Sequence, residues 1–354
     1  MLLFAGWGAI DEEPITVLET FPPWCFLKGI RCGFGVNNQS VTEIHLTGNT
    51  SYNPLKNTSR GSLPSGFGFL GNLENLKLAD FQLDGSIPTS IGSMQYLTYL
   101  DLTGNYLTGT IPNIGTMSGL VYLHIRANSL TGTIPTMMGS LRGLKEIYLD
   151  RNSLRGAIPW EFRNLQSVQD LILYDNRLSG NIPDIFLDFK DLRALYLGTN
   201  NLQGRIPRSI GKGNPLLYSL SLSSNSLTGT IPVTLTDAIS LVFLSLDNNQ
   251  LDGTIPPQMS KLGNLYSVNL NNNYLTMGSL LTVPTSTFPN VTVNSGNIDV
   301  TDNCLKFTYN NYNQGTQYAY KTHCKGKHTC AIYFWANDCI VGVYRSAYYQ
   351  IVKR

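Results

Sequence analysis

The chain has 354 residues, 42% of them apolar, which is enough to bury a core larger than that of a usual single globular domain. Its formal net charge is +2 and only 14% of its residues are charged, so composition gives no electrostatic argument for nucleic acid or an anionic membrane as partner. The apolar stretch at residues 1–10 is too short to span a bilayer. Because it also lacks the basic start and the cleavage site of a signal peptide, we interpret it as a worn or truncated signal sequence.

Residues 1–40 precede the first predicted strand. Within them Ile15, Leu18 and Phe21 recur at helical spacing, which predicts a short amphipathic helix. Cys25 and Cys32 follow in the stretch WCFLKGIRC. A helix and a cysteine pair at this place predict an N-terminal cap over the exposed end of the core.

A Gly-x-(Ile/Leu)-Pro element recurs within residues 41–305 at intervals of 23 to 25 residues. Self-similarity at a fixed period indicates a repeat architecture, in which each unit buries its apolar face against its neighbours. The glycine permits a turn that other residues resist, and the proline fixes its own φ and keeps the preceding residue extended. The repeating prolines are Pro64, Pro88, Pro112, Pro135, Pro159, Pro183, Pro207, Pro232 and Pro256.

The motif Leu-x-Leu-x-x-Asn-x-Leu lies between these prolines, in eleven copies that begin at Ile44 and end near Ile298. The Leu-x-Leu pair predicts a short strand that buries its leucines on one face and turns the residue between them to the other. Where the chain leaves the strand, the asparagine amide can satisfy buried N–H and C=O groups. The second copy has Phe81 in its place. The predicted asparagine ladder comprises Asn49, Asn105, Asn128, Asn152, Asn176, Asn200, Asn225, Asn249, Asn273 and Asn303.

The whole motif resembles the plant-type leucine-rich repeat, whose Ile-Pro element and length near 24 residues separate it from other leucine-rich repeats. The resemblance covers residues 41 to about 305. It implies an α/β-type repeat fold, a right-handed solenoid with a parallel concave sheet, a convex side of 3-10 turns and loops, and a second small sheet at the Gly-x-Ile-Pro segments. Members of this family include ectodomains of plant receptor kinases, polygalacturonase-inhibiting proteins and leucine-rich-repeat extensins.

The cysteines lie only at the two ends of the repeat region, at Cys25, Cys32, Cys304, Cys324, Cys330 and Cys339. The resemblance implies that the first two close the N-terminal cap and that Cys304 pairs with Cys324 in the C-terminal cap, leaving Cys330 with Cys339. The alternative is a zinc site, because His323 and His328 stand beside Cys324 and Cys330, although this spacing matches no standard finger. We favour disulfides, since small caps are cross-linked in oxidising compartments, and therefore predict secretion.

Sequons also favour the secretory path, and we predict glycosylation at Asn38, Asn57 and Asn290. Asn49 stands in a sequon too, but it belongs to the asparagine ladder. Residues 306–354 are predicted to form a C-terminal cap with a tyrosine-rich tail. The chain has no apolar run of transmembrane length and no kinase domain, so we expect a free secreted protein or an excised ectodomain at the cell wall or cell surface.

The outward positions of the central strands combine aromatic and charged residues. Tyrosine and arginine are enriched at binding hot spots, although strands favour tyrosine in any case and charges are ordinary on a solvated face. We predict a ligand-binding patch on the concave face formed by Tyr99, Asp101, Tyr122, His124, Arg126, Glu146, Tyr148, Asp150, Asp170, Tyr174 and Tyr196.

We predict no enzymatic activity, no cofactor and no metal ion. Carboxylates on a wide open sheet lack an enclosing pocket, and His45 and His124 stand three coils apart. The leading hypothesis is an extracellular recognition module that binds a peptide, a protein or a cell-wall glycan. The alternative is a structural wall or matrix scaffold attached through its tyrosine-rich tail.

Overall fold

The computed structural model describes residues 61–275 throughout, the strands Ile30–Gly33, Ser40–Thr47 and Ile298–Asp299, and the backbone of further strands between residues 307 and 350. The chain divides into two compact units, Met1–Leu178 and Ser179–Arg354. This boundary falls inside the repeats and coincides with neither end of the predicted repeat region, residues 41–305. The extent of that region stays a prediction.

The first unit is built from short strands joined by bends and single turns of 3-10 helix. Its 3-10 helices are Ser65–Phe69, Thr89–Ser93, Thr136–Ser140 and Trp160–Asn164. Its strands are β1 (Ile30–Gly33), β2 (Ser40–Thr47), β3 (Asn75–Ala79), β4 (Tyr99–Asp101), β5 (Tyr122–His124), β6 (Glu146–Tyr148), β7 (Arg155–Gly156), β8 (Asp170–Ile172) and β9 (Arg177–Asn181), the last of which contains the boundary.

The main sheet of the first unit has the strand order β1-β2-β3-β4-β5-β6-β8. Strand β1 is antiparallel to β2, and the following strands are parallel. The repeat sets the register, because the first leucine position of each coil aligns with that of the next, in the series Leu76, Leu100, Leu123, Ile147 and Leu171. Each of these side chains is at most 2% exposed. Stacking the coils therefore buries the apolar row that no single coil can cover.

The second unit continues the repeat pattern and adds an antiparallel sheet near the C-terminus. Its helical turns are Phe186–Asp188, Ser209–Lys212, Val233–Asp237 and Pro257–Lys261. Its strands are β10 (Ala194–Tyr196), β11 (Asn201–Arg205), β12 (Ser219–Ser221), β13 (Ser226–Thr230), β14 (Phe243–Ser245), β15 (Gln250–Asp252), β16 (Ser267–Asn269), β17 (Ile298–Asp299), β18 (Phe307–Asn311), β19 (Thr316–Cys324), β20 (Cys330–Ala336), β21 (Cys339–Arg345) and β22 (Tyr348–Gln350).

Three strand sets organise this unit. Strands β10, β12, β14, β16 and β17 pair in parallel in that order, and β18 to β22 pair antiparallel in sequence order. The Gly-x-Ile-Pro segments form a second parallel sheet, in which β11 lies between β9 and β13, and β13 pairs with β15. Parallel sheets with little helix confirm the predicted leucine-rich-repeat architecture.

Each Gly-x-Ile-Pro element makes one sharp bend. Gly132 has a φ of +78°, and a Cβ there would lie 2.7 Å from Thr110 Cγ2 on the preceding coil. Both the positive φ and the close approach require glycine. Pro135, with φ −63° and ψ 128°, is extended and directly precedes the 3-10 helix Thr136–Ser140. The bend therefore leads the chain from the β-bridges of Thr131 and Thr133 into the helical side of the coil.

The asparagines cross-link adjacent coils through backbone groups. Asn176 donates from Nδ2 to the carbonyl oxygens of Leu149 at 3.0 Å and Leu173 at 3.2 Å. Its Oδ1 accepts the N–H of Leu154 at 3.0 Å. One amide thus satisfies two carbonyls and one N–H group that the turn removes from the strand ladder. Bonds of this kind recur at Asn105, Asn128, Asn152, Asn225, Asn249 and Asn273.

Several predicted sites at the termini have no described side chain. Cys25, Cys304, Asn303 and the sequons at Asn38, Asn57 and Asn290 lie outside the described residues, whereas Cys32, Cys324, Cys330 and Cys339 are described by their backbone alone. The backbone register places Cys330 opposite Cys324 and Cys339 opposite Ala336. The expected Cys330–Cys339 pairing therefore does not join facing positions of this sheet, because the two residues start neighbouring antiparallel strands.

Candidate functional site

The outward face of the first unit's main sheet carries side chains in two aligned rows. Tyr99, Tyr122, Glu146 and Asp170 are register partners along β4, β5, β6 and β8. The second row lies two residues further along each strand, with Asp101, His124 and Tyr148 in register. Strand alternation turns both rows to the face opposite the buried leucines. We call Tyr99, Tyr122, His124, Glu146, Tyr148 and Asp170 the Tyr-His patch.

The rings of the patch are in contact across three neighbouring strands. His124 and Tyr148 stack with centroids 4.3 Å apart and ring planes 7° apart. Tyr99 meets His124 edge-on at 5.4 Å and Tyr122 at a tilt at 5.7 Å. Aromatic pairs in these arrangements each contribute about 0.5 to 1.5 kcal/mol beyond their buried area. The four rings therefore support one another as a fixed group.

Three of the four rings, those of Tyr99, His124 and Tyr148, also engage carboxylates through their polar atoms. The Tyr148 hydroxyl donates to Asp170 Oδ2 at 3.0 Å, and His124 Nε2 lies 2.9 Å from Glu146 Oε2. The Tyr99 hydroxyl is 3.4 Å from Asp101 Oδ2, to which it donates, and 3.5 Å from His124 Nδ1. These contacts hold the ring orientations as well as the positions of the carboxylates.

Burial and the neighbouring acids keep both tyrosines protonated. Burial is the largest cause that raises the pKa of Tyr99 to about 12, and the negative charge of Asp101 adds to it. The pKa of Tyr148 is raised in the same way, by burial first and then by the charge of Asp170. Both hydroxyls therefore remain hydrogen-bond donors at any physiological pH.

Two of the predicted contact residues are covered rather than exposed, which corrects the expectation that they face a ligand. Asp101 is 5% and Asp150 is 3% exposed. Alternation places them on the outward face, but Lys77 Nζ lies 3.7 Å from Asp101 and Arg126 Nε lies 3.5 Å from Asp150. Each carboxylate is therefore covered and within ion-pair distance of a basic side chain from the preceding coil.

The charge of the Asp150 carboxylate is only partly compensated by its surroundings. Its Oδ2 faces Arg126, whereas its Oδ1 is buried with no hydrogen-bond partner among the described residues. Burial raises the pKa of this carboxyl, and the nearby Arg126 guanidinium offsets the effect only in part. An ionised Asp150 therefore costs folding free energy at neutral pH.

The last two predicted contact residues, Tyr174 and Tyr196, are not members of the ring group. Tyr174 is 36% exposed, lies two residues beyond β8 and has no ring contact with the patch among the described residues. Tyr196 belongs to the second unit, where its hydroxyl donates to Ser219 Oγ at 2.9 Å. The ring group is thus centred on β4 to β6, a narrower region than the one predicted.

Lys77 is the residue that the predicted site omitted. Its position between the leucines of the second coil marks it as outward-facing, and its ion pair with Asp101 joins it to the patch. From Lys77 to Tyr174, the outward positions hold four carboxylates against two cationic side chains, which makes this face acidic. The charged residues are Asp101, Glu146, Asp150 and Asp170 with Lys77 and Arg126.

The described part of the chain contains no group of three or more His, Cys, Asp or Glu residues arranged to hold a metal ion. Within the same part, no helix combines the length and the apolar character needed to cross a bilayer. The groups that the site offers to a ligand are aromatic rings, hydrogen-bond donors and carboxylates.

Comparison with known proteins gives the family. Residues 118–178 match one family model described as leucine rich repeat, and residues 96–116, 216–238 and 240–262 match a second model of the same description. No curated protein matches the chain in a sequence comparison.

Solved structures extend the similarity over most of the chain. The leucine-rich-repeat ectodomain of the Arabidopsis receptor kinase HAESA, bound to an N-terminally extended IDA peptide hormone, is 32% identical with a TM-score of 0.64, over 70% of this chain and 40% of that ectodomain chain. A TDR receptor is 29% identical with a TM-score of 0.58, over 70% of this chain and 46% of that one. The chain thus spans less than half the length of these receptor chains.

A plant ice-binding protein is 27% identical with a TM-score of 0.62, over 72% of this chain and 78% of that one. The receptor ectodomains and this protein share one architecture, in which parallel strands recur once in each repeat. Together with the asparagine ladder, the Ile-Pro bends and the family models, they show that this chain is a leucine-rich repeat protein with repeats of the plant type.

Proposed function

We propose that the Tyr-His patch binds a peptide or protein ligand in an extracellular setting. The observation that carries the proposal is the contact of four rings over three adjacent strands, and three of these rings also have a polar atom engaged by a carboxylate. A surface held in one geometry loses little conformational entropy on binding, and aromatic residues dominate binding energies. Binding rather than catalysis fits an open sheet face that encloses no reacting group.

The charge of this face favours a ligand with basic side chains. A lysine or arginine placed over a tyrosine ring gains a cation–π attraction, which is worth about 0.5 to 2 kcal/mol. Glu146 and Asp170 are register partners on adjacent strands, so a ligand cation beside them would relieve the repulsion between two neighbouring carboxylates.

Similar structures support a peptide ligand. The HAESA ectodomain is described with IDA, RGFR1 with RGF2, and PEPR1 with AtPEP1, and these structures are 27% to 32% identical to this chain. The terminal cysteines and sequons support secretion. The alternative of a scaffold attached through its tail depends on residues 306–354, whose side chains are not described.

The test is selection of a displayed random peptide library on the purified protein, followed by affinity measurements on the selected peptides. We expect basic peptides that bind the wild type and lose at least about tenfold in affinity for Tyr122→Ala and Tyr148→Ala. The matched control is Tyr218→Ala, which removes a tyrosine that is 49% exposed in the second unit. Peptides that bind all variants equally, or no selected peptides at all, would contradict the proposal.

A second candidate function is ice binding, which a threonine array on the Gly-x-Ile-Pro side of the first unit favours. Thr108 and Thr110 on one coil and Thr131 and Thr133 on the next are exposed and uncharged. The backbones of Thr110 and Thr131 form an isolated β-bridge, and Thr131 Oγ1 donates to Gly109 O at 3.1 Å. These contacts between the two coils hold the threonines in place. A plant ice-binding protein shares the repeat architecture.

Ice recrystallisation assays test this candidate. We expect the wild type and the exposed-site control Gln95→Lys to slow crystal growth equally, and Thr131→Lys to lose the effect because a charged, longer side chain disrupts the regular array. If the wild type leaves ice recrystallisation unchanged at high protein concentration, the candidate is wrong.

A further inference from the structure

A cleft in the second unit lies apart from the main-sheet strands and has a volume of about 870 Å³. Its described lining comes from four successive Gly-x-Ile-Pro bends and from the turns that follow two of them. Ile182, Ile206 and Ile231, each at most 4% exposed, give it an apolar floor. Val233, which is 51% exposed, and the repeat prolines add apolar walls.

Two arginines line this one cleft. Arg205 is the last residue of β11, and Arg208 follows it after the Ile-Pro dipeptide of the repeat. Both side chains are exposed, and neither has a carboxylate within ion-pair distance among the described residues. The backbone of β11 is held by pairing with β9 on one side and β13 on the other. The cleft therefore presents two cationic groups from a rigid base.

A buried hydroxyl in the same lining has no described partner. Thr234 Oγ1 is inaccessible to solvent and makes no hydrogen bond with the described residues. Leaving such a group unsatisfied is unfavourable, because it has lost its hydrogen bonds to water without gaining others. It would be satisfied by a small movement of the turn Val233–Asp237 toward a group bound in the cleft.

The remaining polar residues of the lining restrict the class of ligand that the cleft can bind. Asn181 offers an amide, Thr230 offers a hydroxyl, and Asp184 offers a carboxylate whose Oδ1 accepts the N–H of Ser209 at 3.0 Å. Asp184 would repel a simple anion such as phosphate, but its free acceptor capacity suits the hydroxyl groups of a ligand that also carries negative charge.

We propose that this cleft binds an acidic oligosaccharide, with uronate carboxylates on Arg205 and Arg208 and ring hydroxyls on Asn181, Asp184 and Thr234. Bidentate arginine–carboxylate pairs supply the charge recognition, and the isoleucine floor accepts the apolar faces of the sugar rings. An acidic peptide fits less well, because β11 is paired on both edges and leaves no strand edge for a peptide backbone to join. This site is independent of the Tyr-His patch.

The test is calorimetric titration of the full chain with a uronic acid tetramer at low and physiological salt. The probes for comparison are the neutral tetramer of the same linkage, inorganic phosphate and a tetraglutamate peptide. We expect the uronate alone to bind measurably. The double variant Arg205→Ala/Arg208→Ala should weaken binding at least about tenfold, since it removes both cationic partners of the uronate carboxylates.

The matched control is Arg142→Ala/Arg155→Ala, which removes the same charge from exposed positions of the first unit and should leave uronate affinity unchanged. Thr234→Val should weaken uronate binding a few-fold without weakening the fold, because it removes the unsatisfied hydroxyl. Circular dichroism and thermal unfolding verify that each variant is folded. Equal uronate affinity of both double variants, equal binding of the neutral tetramer, or tighter binding of tetraglutamate would each overturn the proposal.

Discussion

His124 lies flat against Tyr148, with their ring centroids 4.3 Å apart, and at the same time reaches Glu146 Oε2 at 2.9 Å. One side chain therefore combines stacking with a hydrogen bond. This pairing joins β5 to β6 on the outward face, where the leucine core makes no contribution. Its two components can be separated by substitution.

His124→Phe should keep the stack and lose the hydrogen bond, whereas His124→Ala should lose both. We expect a loss of about 0.5 to 1 kcal/mol in unfolding free energy for the phenylalanine variant and about 1 to 2.5 kcal/mol for the alanine variant. Urea unfolding measures both values. Equal losses in the two variants would show that the stack contributes nothing.

Asp150→Asn should stabilise the protein by about 1 kcal/mol near neutral pH. Burial raises the pKa of Asp150, so the folded state binds this proton more tightly than the unfolded chain does. The ionised carboxylate therefore lowers stability above the raised pKa, and this cost disappears as the pH falls through it.

Urea unfolding of wild type and Asp150→Asn should differ near pH 7 and converge below the unfolded-chain value, about pH 3.9. Asp252→Asn, at an exposed aspartate, is the control and should have little effect at either pH. A variant less stable than wild type at neutral pH would mean that the Arg126 pair outweighs the cost of burying the charge.

Asn176→Ala should lower the unfolding free energy by about 2 to 4 kcal/mol, because it leaves the Leu154 N–H and the carbonyls of Leu149 and Leu173 without their partner. Asn201→Ala, at an exposed position, should change it by less than about 0.5 kcal/mol. Thermal and urea unfolding check both. A small effect at Asn176 would mean that water replaces the amide.

Gly132→Ala should destabilise the protein by about 1 to 3 kcal/mol, since it combines a φ of +78° with a contact of 2.7 Å to Thr110 Cγ2. Gly143→Ala is the control, because its nearest neighbour would be at an ordinary 3.8 Å and its φ is not positive. Adding Thr110→Ser to Gly132→Ala removes the crowded methyl and should recover part of the loss. No recovery would assign the whole effect to the backbone.

Periodicity was sufficient to predict the main sheet and its register. A leucine row with a period near 24 residues can be buried only when equivalent positions align, and Leu100, Leu123 and Ile147 do so. The bend at Gly132 followed equally from chemistry, since its glycine and proline restrict the backbone whatever surrounds them. The residue pattern of a single repeat is enough to predict both features.

The details of the patch were not predictable by the same means. Alternation gives the face on which Asp150 lies, but not the covering of its carboxylate by Arg126 from the preceding coil. The His124–Tyr148 stack depends on the rotamers of two coils, which a single-strand pattern does not specify. The cleft beside Arg205 and Arg208 is formed by four coils in their spatial order, which the pattern of one coil does not specify.

The asparagine ladder has a direction. Asn105, Asn128 and Asn152 each reach the backbone of the coil that precedes them, at Leu83, Leu107 and Leu130 respectively. Where the second coil lacks its own asparagine, Asn105 Oδ1 also accepts the N–H of Phe81, so the following coil compensates. Each coil therefore depends on its successor to complete its turn. Loss of a coil on the C-terminal side leaves backbone groups of the turn before it without their partner, whereas loss on the N-terminal side leaves asparagine amide groups of the next coil without theirs. Backbone groups of a turn therefore lose their asparagine only from the C-terminal side.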